Sequence, residues 1–139
     1  MATEATSSRA FNRFEHRVCK AAMKMQRQAD PAVLRYNDLY YGEEEHSPES
    51  LEAAGREVRK AYVIYQRFNR RILKMKAPAD QARLWHKYGQ QERVVLQLGF
   101  KGASALEAAD LAEFERIKTR NENWQRKRNT TWSRIGLVC

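Results

Sequence analysis

Turn-forming residues are scarce in this chain, which has 3 Pro and 6 Gly among 139 residues. A strand-rich fold with frequent reversals would need more of both. With 42% hydrophobic and 31% charged residues, the composition suits a few long helices. Long apolar runs are missing as well: none reaches 18 residues, so no segment is expected to cross a membrane as a helix. Cysteine is limited to Cys19 and Cys139. That spacing matches neither a disulfide framework nor a metal site, and it predicts reduced thiols in a reducing compartment, with Cys19 a small packed residue on the edge of an apolar stripe.

Catalytic signatures are missing too. There is no G-x-x-x-x-G-K-[ST], no G-x-G-x-x-G after a strand and no G-x-S-x-G elbow. His16, His46 and His86 stand on different segments with no Cys or carboxylate at metal-ligand spacing. The expectation is a non-enzyme with no catalytic residue, no cofactor and no metal. The acidic triplet Glu43-Glu44-Glu45 is read as a complement to the positive end of the helix that follows it.

What the sequence does have is positive charge and helical periodicity. The formal charge is +9 and the isoelectric point near 9.8, which favours an anionic partner. Between Arg56 and Lys76 lie eight Lys or Arg against one Glu. Tyr62, Tyr65 and Phe68 fall on the apolar stripe of that segment and not between its cations, so the interleaving of aromatics and cations used for single strands is absent. Nucleic acid is therefore the less favoured partner.

The periodicity predicts an all-α fold of about four helices in one domain. Residues 1–7 are expected to be a flexible start. Phe11, Phe14, Val18, Ala22 and Met25 mark a helix over 8–29, capped by Ser7-Ser8 and ended before Pro31. Residues 30–46 read as an ordered, irregular, tyrosine-rich connection. Ser47-Pro48 opens a second helix over 47–76, with Leu51, Ala54, Val58, Tyr62, Tyr65, Phe68, Ile72 and Met75 on one stripe. Pro78 starts a third, to residue 98, in which Leu84, Trp85, Tyr88, Val95 and Leu98 share a side. Gly99 to Gly102 is expected to break it, and Ser104 with Glu107 to form a capping box for a fourth helix over 103–128. A tail, 129–139, follows.

The order of these features resembles the small helical "binding protein" subunit of ubiquinol–cytochrome c oxidoreductase, respiratory complex III. That family shows G-L-x-x-D-D-x-x-x-E after its first helix, and Val33 to Glu43 is similar, with Asn37-Asp38 at the acidic pair. Arg67, Arg70 and Arg71 loosely match its R-x-x-R-x-x-R-A pattern. Its W-x-K-Y-E-E-D and Y-L-x-P-Y-L segments look like Trp85-His86-Lys87-Tyr88-Gly89-Gln90-Gln91 and Val95-Leu96-Gln97-Leu98, and a closing basic helix with a Trp looks like Phe114 through Trp124. The likeness runs from about residue 30 to 127. It departs at Gly89-Gln90-Gln91, where the family is acidic, and in about a dozen extra residues before the last helix.

The resemblance implies an accessory subunit peripheral on the matrix side of the mitochondrial inner membrane, in a hetero-oligomeric assembly with cytochrome b and other complex III subunits. Basic faces would meet acidic partner surfaces or anionic lipid headgroups. Residues 1–27 have a presequence-like richness in Arg, Lys, Ser and Thr and are expected to stay in the mature chain. Partner contacts are placed by position at Phe11, Phe14, Arg35, Tyr36, Asp38, Tyr40, Trp85 and Tyr88. A rival resemblance is to LYR-motif subunits of complex I, which bind acyl carrier protein. There Ile64-Tyr65-Gln66 would stand for the motif. A basic mitochondrial ribosomal or RNA-binding protein is a third reading.

Overall fold

Ser47 opens a helix in the way its sequence predicts. Its hydroxyl accepts from the Ser50 amide at 3.0 Å, the Ser50 hydroxyl accepts from the Ser47 amide at 3.0 Å, and Pro48 takes the first helical position. The computed structural model describes residues 2–42 and 45–139, with side chains described from residue 8. It contains α1 (Ala2–Tyr41), α2 (Pro48–Ile72), a single 3-10 turn (Ala79–Gln81), α3 (Ala82–Glu107) and α4 (Leu111–Ile135), and no strand among the described residues. The fold is all-α, with four α-helices among the described residues.

The first helix is longer than the sequence predicts. It starts at Ala2, ahead of Ser7-Ser8, and runs through Pro31 to Tyr41, so residues 2–7 of the expected flexible start and 30–41 of the expected irregular connection are helical. A proline inside a helix costs about 3 kcal/mol. Packing on α2 offsets that cost: Ala29 and Ala32, either side of the proline, are buried against Ala61, and Tyr40 is buried beside Leu51 and Ala54. Of the acidic triplet, Glu43 and Glu44 lie outside the described residues, and Glu45 is exposed.

The third helix also passes its expected stop. Gly99 and Gly102 are both interior residues of α3; at Gly99 a neighbour comes too close for a side chain, while at Gly102 the nearest atoms stand at ordinary contact distance. A Cβ on Gly99 would lie 1.8 Å from Cε1 of Tyr62. The end comes at Ala109, which adopts φ 55 while its amide bonds to Leu106 O at 2.8 Å and the Asp110 amide to Ala105 O at 2.8 Å. These are the paired bonds of a Schellman stop, built on alanine where glycine is usual. Asp110, and not Ser104, caps α4 by accepting from the Glu113 amide at 3.1 Å. Ser104 and Glu107 close α3 instead and together hold Arg59 of α2, which donates to each at 2.9 Å. The last helix continues to Ile135, well into the expected tail.

Consecutive helices are antiparallel neighbours: α1 packs on α2, α2 on α3, and α3 on α4. Two cores fill the ends of this bundle. At one end Phe14, Val18, Phe68, Ile72, Trp85, Tyr88, Ile135 and Leu137 pack together. At the other end the core is Tyr40, Leu51, Ala54, Leu98, Leu106, Phe114 and Ile117. The first and last helices meet only near these ends.

One expectation is overturned outright. Cys19 and Cys139 form a disulfide, so neither is a free thiol. The sequence separation hides this pairing because α1 and the residues after α4 come together only in the folded bundle. There the Val138 amide donates to Glu15 at 3.0 Å, and Leu137 is buried in the core with Phe14.

Candidate functional site

Between its two ends the α1–α4 seam opens into a cleft of about 560 Å³, within the range of roughly 300–1,000 Å³ common for ligand pockets. Tyr62 and Tyr65 of α2 and Glu92 and Val95 of α3 form its floor. Met25, Val33 and Tyr36 line the α1 wall, facing Asn121, Gln125 and Trp132 of α4. One end is closed by the tail and the Cys19–Cys139 bond. The other is closed where Tyr40 meets the ring of Phe114 at 5.2 Å and Lys118 lies over the Tyr41 ring at 5.8 Å.

The polar groups of the floor satisfy one another. Glu92 is buried, and Arg128 Nη1 of α4 lies 3.3 and 3.1 Å from its two oxygens. The Tyr88 hydroxyl donates to the same carboxylate at 3.1 Å. Burial first, and then the charge of Glu92, push the Tyr88 phenol far above its usual range, so it stays a neutral donor. Along the α4 wall Gln125 donates to Asn121 at 2.9 Å, and Asn121 donates to the Tyr62 hydroxyl of the floor at 3.2 Å. Burial raises the pKa of Tyr62, Tyr65 and Tyr36 as well. The arrangement offers aromatic faces, neutral hydroxyls and amides, which suit it to holding an apolar or aromatic segment with a few hydrogen bonds.

The residues chosen by position as partner contacts separate into two sets. Phe14, Tyr40, Trp85 and Tyr88 are buried. Trp85 meets Phe14 edge-on at 5.0 Å, stacks on Tyr88 at 5.3 Å and donates its Nε1 proton to Met75 O at 3.0 Å. Tyr40 stacks on His46 at 4.7 Å. The surface of Phe14, Tyr40 and Trp85 is occupied by this chain's own packing, which corrects their placement at a partner interface, whereas Tyr88 also borders the cleft. Phe11 is half-buried beside the tail, Tyr36 is half-buried in the cleft wall, and Arg35 and Asp38 are exposed. Arg35 Nε lies 2.9 Å from Oε2 of the buried Glu57, an ion pair across α1 and α2 at an angle outside hydrogen-bond geometry.

Sequence reasoning missed Glu92, Asn121, Gln125 and Arg128. No local motif links them, because Glu92 and Arg128 stand 36 residues apart on different helices. Tyr62 and Tyr65 carried a signal in their apolar periodicity, though not one that separates cleft from core. The three histidines remain apart, and no cluster of His, Cys, Asp or Glu able to hold a metal occurs among the described residues. No described helix is long and apolar enough to cross a membrane. Compared with family models, curated proteins and solved structures, the chain matches none.

Proposed function

We propose that the chain is a non-catalytic accessory subunit of mitochondrial respiratory complex III, peripheral on the inner membrane, which seats a segment of cytochrome b or a neighbouring subunit in the α1–α4 cleft. One observation carries this reading: three seams of the four-helix array are packed and the fourth is open, aromatic and hydrogen-bonding. A helix or loop of a partner laid there would complete the bundle. The order of sequence features resembling the complex III "binding protein" names the assembly. The Cys19–Cys139 disulfide supports a seat facing an oxidising compartment over the matrix face that the resemblance implies.

The test is native electrophoresis of gently solubilised mitochondrial membranes carrying the tagged chain. Cytochrome b in the band with the chain is the expected result. A band holding acyl carrier protein and complex I subunits would replace this reading with the LYR one. Ribosomal RNA in the band would replace it with the RNA-binding one.

A further inference from the structure

The antiparallel fold sorts charge by pole. Residues 8–29, 64–95 and 123–139, which surround the core of Phe14, Phe68, Trp85 and Ile135, hold eighteen Lys or Arg against three Asp or Glu. Residues 30–42, 45–63 and 96–122, around the opposite core, hold eight against eleven. The whole excess of positive charge therefore lies on the pole where α1 starts, α2 ends, α3 starts and α4 ends. The blocks alternate along the chain and converge only because each helix reverses the direction of the last.

The ion pairs sharpen this asymmetry. Six occur among the described residues, and only Glu92–Arg128 belongs to the basic pole. The other cations of that pole lack a carboxylate partner among the described residues, so their charge is available to something outside the chain. Among the aromatic rings of this pole Phe14, Phe68, Trp85 and Tyr88 are buried, and Phe11, Tyr65 and Trp132 are half-buried. Trp124, at the edge, is covered by Lys127 at 4.4 Å. No Phe, Tyr or Trp of this pole is fully exposed among its cations, which disfavours the base stacking on which single-strand binding depends. Two aliphatic side chains do stand out, Met23 at 52% and Val138 at 82% exposure. Both stand close in sequence to the disulfide, Met23 one helical turn past Cys19 and Val138 directly before Cys139. Lys20 and Lys24 flank the pair, and both are exposed.

We propose that the basic pole is a membrane-docking surface that binds anionic phospholipid headgroups. Unpaired cations supply the attraction, and Met23 with Val138 enters the boundary between headgroups and acyl chains. The inference deepens the peripheral-membrane part of the proposed function and rests on that part alone, not on the identity of the protein partner.

Flotation of the purified full-length chain with vesicles tests it, using phosphatidylcholine alone or mixed with phosphatidylglycerol. Binding to the anionic vesicles that weakens with salt, without binding to neutral ones, is the expected result. Two triple variants of equal net charge locate the surface: Arg70→Gln/Lys74→Gln/Arg134→Gln on the basic pole, and Arg56→Gln/Lys101→Gln/Arg120→Gln on the other. All six side chains are exposed. The first should bind roughly a hundredfold more weakly and the second nearly as wild type. Equal losses in both, or equal binding to neutral vesicles, would overturn the proposal. So would removal of the protein from vesicles by poly(U) at matched phosphate concentration, which would assign the pole to RNA. Vesicle binding without cytochrome b in the native band would leave this inference standing and remove only the partner; the converse would do the reverse.

Discussion

Cys19, in the first half of α1, is covalently joined to Cys139, the residue at the other end of a 120-position separation, and the bond bridges the one seam the helices leave open. A cross-link over so long a loop restricts the unfolded chain strongly, and removing one is expected to cost about 2–5 kcal/mol. Cys139→Ser should therefore lower the unfolding midpoint in denaturant. Adding reductant should shift the wild type to the same place and leave the variant unchanged. Alkylation of both thiols in the folded, unreduced protein would show that the bond is not formed.

Glu92 is buried and pairs with the partly exposed Arg128, so removing Arg128 leaves a buried carboxylate without its counter-charge. Arg128→Ala is expected to destabilise the protein by roughly 3–5 kcal/mol, while Glu92→Leu combined with Arg128→Leu should come closer to wild type than either single change. A double-mutant cycle by chemical unfolding checks this. Additive single effects would mean that the two side chains do not interact.

Two small-residue substitutions should act in opposite directions. Gly99→Ala places a methyl group where the Tyr62 ring lies, and overpacking of this kind costs about 1–3 kcal/mol. Ala109→Gly relieves a left-handed backbone at the α3 stop and should stabilise by roughly 0.5–1 kcal/mol. Thermal melts of the two variants beside wild type read both signs.

These positions also show what was legible in the sequence. Ser47-Pro48 marked its helix start because capping chemistry is local, and the stripe from Leu51 to Ile72 marked a buried face because burial follows helical period. Trp85 and Tyr88 were readable as packing for the same reason. Pro31 and Gly99 misled because their usual local meaning is overridden by tertiary contacts, α1 against α2 and Tyr62 against α3. The true stop of α3 carries no glycine, so its alanine gave no signal. The disulfide and the cleft bring together residues from opposite ends of the chain, and only the fold supplies that proximity.

Acid should act through Glu57. Burial between α1 and α2 opposes its charge, but Lys60 at 3.1 Å and Arg35 at 2.9 Å outweigh that penalty and hold its carboxyl below the usual value. A carboxyl whose pKa is lowered by folding contributes stability that is fully present above its unfolded pKa and is lost as pH falls through the folded one. The difference in unfolding free energy between wild type and Glu57→Gln should thus be constant from about pH 7 to about pH 5 and shrink below about pH 4.5. A difference that stays flat into acid would mean Glu57 titrates normally.

The central claim is that the α1–α4 cleft seats a partner, and filling it tests that most directly. Gln125 is half-buried on the α4 wall, so Gln125→Trp would occupy the cleft with little change to either core. Native electrophoresis should find this variant folded, disulfide-bonded and missing from the large assembly that retains the wild-type chain. Recovery of Gln125→Trp in that assembly at wild-type abundance would contradict the claim.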